Sequence, residues 1–292
     1  MKILIVGSRG MLGTDLMETF SRAYETTGTD LPELDITQLE QCHARLNELR
    51  PDVIINSAAF TQVDACESRQ EEAFLANGHG AGNLAKAAAS TGALLVYYST
   101  DYVFDGQKQG AYVEEDTPNP QSIYGKSKLM GESLTREHCP NHLILRTSWL
   151  FGRNGSNFIR TILSAARNGN PLRVVNDQRG SPTYSKDLAA HTRMMIEAGC
   201  RSTYHVTNSG SCTWFELAAQ ALECAAIRTV PIAPVSTSEF PRPAPRPANS
   251  ILANARLVRV GFSLLRPWQD AVREYVKAEF RSQNSEFRIK HT

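Results

Sequence analysis

Met1-Lys-Ile-Leu-Ile-Val-Gly7-Ser-Arg-Gly10-Met-Leu-Gly13 opens the chain, and its reading decides the fold. Residues 2–6 are expected as a strand, and the apolar run at 3–6 suits one covered on both faces. Gly7, Gly10 and Gly13 follow at G-x-x-G-x-x-G spacing, and residues 11–22 carry apolar positions at helical spacing. Strand, glycine turn and helix make the first half of a βαβ unit. They are also a variant of the dinucleotide fingerprint. Glycine serves where the chain turns sharply, where backbone nears a pyrophosphate, and where helix packs on strand. The helix start adds unpaired N–H groups and a positive dipole end.

The same rhythm continues outward. Strands are expected at 25–29, 52–56, 93–99 and 142–147. Helices are expected at 37–50, with Thr37 as cap and Glu40 at the capping-box position, at 68–91 with an irregular start, and from near Ser122. This predicts an α/β fold, a Rossmann-type doubly wound parallel sheet. Beyond residue 150 the rhythm loosens. Helices are expected at 157–167, 185–198 and 213–224, the last with Thr213 and Glu216 as a capping box. The proline-rich stretch 241–250 can be neither helix nor central strand. A last helix is expected from Pro267 to about Phe280, with a fraying polar tail beyond Arg281. The expected division is an NAD(P)-binding domain at 1–150 and a smaller, partly interleaved substrate lobe at 151–292.

Composition narrows the function classes. The 292 residues balance 31 Lys+Arg against 30 Asp+Glu, and a net charge of +1 argues against a nucleic-acid partner. No apolar run approaches the length of a membrane span, and the apolar start is too short for a signal peptide. Cys42, Cys66, Cys139, Cys200, Cys212 and Cys224 lie far apart without C-x-x-C spacing, as expected of reduced thiols in a cytoplasmic protein. The seven histidines are scattered along the chain, and no metal ligand set is expected.

Cofactor residues follow from the loop. Asp30 closes the second strand, where a carboxylate accepts from the adenosine ribose hydroxyls and repels a 2′-phosphate, leaning toward NADH. Arg9 could pair with that phosphate instead, so NADPH and NADH both stay open. Met11 and Leu12 lie within the loop, Asp35 and Ile36 could lie over the adenine, and Ala58, Ala59 and Phe60 follow the third strand at the sheet's carboxyl edge.

Tyr124-Gly-Lys-Ser-Lys128 is the only Tyr-x-x-x-Lys in the chain. Its spacing stacks phenol and ammonium on one helix face, where the cation should lower the phenol pKa and make it a better acid. Ser99 or Thr100, at the end of the fourth strand, can bond the same substrate oxygen.

Together with Arg50-Pro-Asp-Val-Ile-Ile-Asn56, Tyr98–Phe104, Arg146-Thr-Ser-Trp149, Asn176–Thr183 and Arg246-Pro-Ala-Asn-Ser250, these motifs resemble the extended short-chain dehydrogenase/reductases that act on nucleotide sugars. The resemblance implies reduction of the C4 keto group of a dTDP-linked 6-deoxyhexulose to dTDP-L-rhamnose, for cell-surface polysaccharide. It implies Tyr124 as proton donor, Lys128 on the nicotinamide ribose, and Thr100 and Asp101 on the sugar. Trp149 would contact the sugar or nucleotide, with Gln178 and Arg246, or Arg242, at the diphosphate. Some members bind magnesium at a dimer contact, but Asp15 and Ser185-Lys186-Asp187 do not offer the carboxylate cluster that ion wants. A monomer or weak homodimer is expected. A 4,6-dehydratase would carry glutamate where Tyr102 stands. A 4-epimerase keeps the same Tyr/Lys pair, and a related regulatory subunit of methionine adenosyltransferase uses the fold without catalysis.

Overall fold

The computed structural model describes the backbone of residues 1–289 and the side chains of residues 1–279. Six parallel strands form the central sheet in the order β10-β5-β4-β3-β1-β2. They are β1 (Lys2–Val6), β2 (Glu25–Thr29), β3 (Val53–Asn56), β4 (Leu94–Thr100), β5 (His142–Thr147) and β10 (Ser202–His205). Ile5 sits opposite Gly28 of β2 on one side and Ile55 of β3 on the other, which puts β1 inside the sheet, one strand from its edge, with its apolar side chains between two helical layers. On one face α1 (Met11–Ser21) and α8 (Ser185–Glu197) pack over Ile3, Ile5, Val53 and Val96. On the other, α2 (Leu39–Leu49) and α5 (Gly80–Thr91) cover Leu4, Ile54 and Leu95.

Several expected boundaries move. Thr37 does not cap α2: its amide and hydroxyl both donate to Asp35 Oδ1, at 2.9 and 2.8 Å, and Gln38 takes the N-cap position without a side-chain bond. A local Asx turn outcompetes the capping box. The helix expected at 68–91 is broken. It begins as α3 (Val63–Ser68), resumes as α4 (Gln70–Ala73), widens into a π-turn at Phe74–His79, and becomes regular only in α5. Helix α6 (Ile123–His138), which carries the Tyr-x-x-x-Lys pair, starts as expected, with the Ser122 hydroxyl accepting from the Gly125 amide at 3.1 Å.

The second half contributes more strand than its sequence suggests. β10 is the sheet's edge strand. Outside the sheet, β6 (Leu150–Phe151) pairs with β9 (Thr183–Tyr184), β7 (Leu172–Val175) with Ile232–Val235, and β8 (Arg179–Gly180) with Cys212–Thr213. A separate core joins α7 (Phe158–Arg167), α9 (Trp214–Cys224) and α11 (Trp268–Ile289) through Ile159, Leu163, Leu217, Ala221, Val272 and Tyr275. The capping box at Thr213 and Glu216 is present in full. Helix α11 runs past the expected end near Phe280 to Ile289, where a fraying tail was expected.

The 241–250 stretch is an extended strap. Arg179 donates to the Ala248 carbonyl and accepts from the Ser250 amide, at 2.9 and 2.8 Å. Gly106 (φ +81°) passes so close beneath it that a Cβ would lie 2.6 Å from Pro247.

One ion pair pins α6 to the sheet. Arg146 of β5 meets Glu132 through two bonds of 2.8 Å, with both side chains buried. Deleting one partner strands a desolvated charge. Glu132→Ala is therefore expected to lose about 3–5 kcal/mol in urea unfolding.

Candidate active site

The glycine loop is shaped by close backbone approach. Gly7 (φ +78°) lies where a Cβ would meet the Ala58 amide at 2.6 Å, and a Cβ on Gly13 would fall 2.0 Å from the Gly7 carbonyl. Helix α1 has Gly10 as N-cap and no side-chain cap, so its first turn keeps its N–H groups for a phosphate. That cradle fits a dinucleotide pyrophosphate.

Two adjoining cavities flank the loop and share Gly10, Ser57, Ala58 and Ala59. The outer one, about 510 Å³, has Gly7, Arg9, Asp30, Asp35, Ile36 and Phe60 in its wall. At its rim Asp30 accepts from the Arg9 amide at 3.1 Å. The Arg9 guanidinium is engaged by Glu33 and by the Leu31 carbonyl. An adenosine 2′-phosphate would therefore have to draw Arg9 away from Glu33.

The inner cavity, about 450 Å³, brings together Met11, Leu12, Gly13, Thr100, Asp101, Tyr124, Lys128 and Trp149. These come from α1, the end of β4, the first turns of α6, and the residues just after β5. Lys128 is 3% exposed, its ammonium 4.1 Å from the centre of the Tyr97 ring. Burial pushes it down to about 7, against the opposing pull of Glu132. Burial pushes the Tyr124 phenol up, and the Thr100 hydroxyl pulls the other way. The expectation that Lys128 lowers Tyr124 is thus reversed here, because desolvation is the larger effect. Thr100 donates to Asp101 Oδ1 at 2.9 Å, while Asp101 Oδ2 is buried without a partner. Burial pushes that carboxyl up to about 6.

Trp149 takes a left-handed backbone (φ +46°) and stacks on Trp214, with ring centres 3.5 Å apart. A Cβ on Gly180 would fall 2.3 Å from the Trp149 ring, so that glycine makes room for it. Gln178 and Arg246 stand apart from the inner cavity. They line a third one of about 440 Å³, which shares Tyr102 and Trp214 with it. Both ends of the Gln178 amide are occupied, accepting from Trp214 Nε1 at 3.2 Å and donating to Thr237 Oγ1 at 2.9 Å. Its direct partner is the tryptophan wall.

Trp214 and Asn77 escaped the sequence reading, and Tyr102 entered it only as the position of a missing glutamate. Trp214 and Tyr102 wall the cleft with nothing but an aromatic side chain to announce them. Asn77, on the π-turn, accepts from the Phe60 amide at 2.8 Å and donates to the Phe60 carbonyl and Ser127 Oγ, at 3.1 and 3.0 Å. It ties the loop after β3 to the helix carrying Lys128.

The residues do not fit a magnesium site. The buried Asp15 carboxylate takes the Ser185 hydroxyl, Asp187 takes two bonds of 2.8 Å from Arg266, and Lys186 pairs with Glu274. Among the described residues no three acidic, histidine or cysteine side chains gather as a metal would need.

The sequence model of the RmlD substrate binding domain matches residues 1–281. The spore coat polysaccharide biosynthesis protein SpsK of Bacillus subtilis (strain 168) is 40% identical over 279 residues, covering 94% of this chain and 97% of its own. A dTDP-4-dehydrorhamnose reductase of Burkholderia thailandensis is 37% identical over 291 residues, covering 93% and 97%. The crystal structure of dTDP-4-dehydrorhamnose reductase (rfbD) from Bacillus anthracis str. Ames, in complex with NADP, is similar at a TM-score of 0.92 and 39% identity, covering 94% of this chain and 98% of that one.

The depressed Lys128 pKa has a pH signature. Unfolded, this lysine titrates near 10.5; folded, near 7. The unfolded state binds the extra proton between those values, so the cost of burying the ammonium is full below pH 7 and fades as pH rises toward 10.5. Lys128→Met is expected to gain stability over the wild type most at pH 6, with the gain shrinking through pH 9 in urea titrations.

Proposed function

The chain belongs to the RmlD substrate binding domain family, and on that premise we propose that it reduces the C4 keto group of dTDP-4-dehydro-L-rhamnose to give dTDP-L-rhamnose. NADPH or NADH, when bound, supplies the hydride. The observation that supports this reading is one cavity walled at once by the glycine loop, Tyr124, Lys128, Thr100 and Trp149.

Tyr124 is the proton donor to the C4 oxygen. Its raised pKa keeps the phenol protonated at neutral pH, which is the state a general acid needs. Giving up that proton leaves a phenolate in a buried site, and the Lys128 ammonium one helical turn away compensates it. Lys128 also holds the nicotinamide ribose. Thr100 orients the same oxygen. The unpartnered Asp101 Oδ2 accepts from a sugar hydroxyl, since an orphaned buried acceptor gains most from a donor. Trp149 forms the sugar's wall, with Gln178 holding Trp214 behind it. Arg246 faces the diphosphate, where a planar guanidinium gives paired bonds to phosphate oxygens.

Tyr102 occupies the position after Asp101, so the glutamate base of a dehydratase is missing from this sequence. Residues 151–292 serve mainly as the substrate lobe. The enzyme works in the cytoplasm, as a monomer or weak homodimer, and no helix among the described residues is long and apolar enough to cross a membrane.

Nicotinamide absorbance, with the ketosugar nucleotide made in situ from dTDP-glucose, tests the reading. The wild type should oxidise NADPH or NADH. Tyr124→Phe should lose at least about 10²-fold in kcat with cofactor affinity unchanged. No oxidation by a folded wild type that binds cofactor would overturn the assignment.

A further inference from the structure

The strap over the third cavity is fastened from the opposite side of the cleft. Asp64, on α3, accepts from Arg246 Nη2 at 2.9 Å and from the Ala244 amide at 3.2 Å, both on Oδ1, while Arg242 Nη1 stands 3.9 Å from Oδ2. Arg246 also donates from Nη1 to the Ala244 carbonyl at 3.2 Å. Asp64, Arg242 and Arg246 all line this cavity, together with Tyr102, Gln178 and Trp214.

Helix α3 touches the catalytic machinery along the rest of its length. Cys66 Sγ donates to the Phe60 carbonyl at 3.8 Å, on the loop that follows β3. Glu67 Oε1 accepts from the Ile123 amide at 2.9 Å, satisfying the first N–H of the helix that bears Tyr124 and Lys128. Asp64 is the member of this short helix that reaches the strap.

The energetic logic lies in what a diphosphate site must arrange beforehand. An arginine on a flexible loop loses affinity to the ordering of its long side chain and of the loop itself. The strap's prolines at 241, 243, 245 and 247 fix their φ angles, so holding Ala244 and Arg246 holds the whole segment in register. A guanidinium has five N–H donors. Asp64 and the Ala244 carbonyl take two of them, which leaves three for an anion. One carboxylate against two arginines still leaves a positive balance at the cavity.

We propose that Asp64 is a positioning residue for the diphosphate of the nucleotide sugar, locking the strap and the Arg246 guanidinium to the catalytic half before substrate binds. The proposal rests on the reading that Arg246 faces the diphosphate, and the test separates the two. Binding of dTDP to the NADP-loaded enzyme is measured by calorimetry for the wild type, Asp64→Ala, Asp64→Asn, Arg246→Ala and the Asp64→Ala/Arg246→Ala double variant. Steady-state kinetics accompany it, and melting curves check the fold.

Arg246→Ala should weaken dTDP binding. Asp64→Ala should weaken it about fivefold, raising KM and leaving kcat in place, with little further loss when Arg246 is already gone. Asp64→Asn, which keeps an acceptor oxygen, should recover most of the affinity. Arg246→Ala without effect on dTDP would remove the underlying reading, and the proposal with it. Arg246→Ala weakened but Asp64→Ala unchanged or tighter would overturn the proposal alone; tighter binding would make the carboxylate a competitor of the phosphate. A loss at Asp64 that simply adds to the loss at Arg246 would also overturn it, as the mark of a general structural role.

Discussion

Helix α6 buries a row of titratable groups against the sheet, and the cleft depends on that constraint. Tyr124, Lys128 and Glu132 follow one another at four-residue spacing; Lys128 and Glu132 are buried, and Tyr124 lines the inner cavity. Each is answered by the sheet or its edge. Glu132 meets Arg146 of β5, Lys128 lies over Tyr97 of β4, and Tyr124 faces Thr100 at the end of β4. The approach is close enough to demand glycine. A Cβ on Gly125 would fall 2.2 Å from the Tyr102 carbonyl, and one on Gly131 would fall 2.2 Å from the Asn77 carbonyl. A helix docked this tightly carries its functional groups on a rigid element, which is what a proton donor needs to hold its geometry.

The N-terminal half was legible because its information is local. β1, β3, β4 and β5 are continuous apolar runs, and the glycine loop and the Tyr-x-x-x-Lys pair are short spacings whose geometry needs no distant partner. The errors in that half had two sources, one local and one tertiary. Asp35 drew Thr37 into an Asx turn, and the broken helix from Val63 to His79 reflects tertiary demands, since Asn77 must reach Phe60 and Ser127 at once. Edge strand β10 reads Ser-Thr-Tyr-His, too short and polar to signal itself.

The C-terminal half was legible mainly through resemblance. Trp214 matters because it stacks on Trp149, across 65 positions of sequence, and Asp64 because it meets Arg246, across 182. No spacing rule reports such contacts. Gln178 was expected at the diphosphate, and its amide is taken up by Trp214 and Thr237. The pKa expectation failed for a different reason: helical spacing gives proximity but says nothing of desolvation, and in this cleft desolvation dominates both Tyr124 and Lys128.

On this reading the cleft delivers hydride to C4 of a nucleotide-linked ketosugar and does not merely exchange a proton or epimerise a centre. Isotope transfer tests it most directly. With nicotinamide cofactor deuterated at its transferable position, nuclear magnetic resonance of the product should show deuterium at sugar C4 in a single configuration, matched mole for mole by oxidised cofactor. Turnover of the sugar with the deuterium retained on the nicotinamide, or with no net cofactor oxidation, would contradict the account.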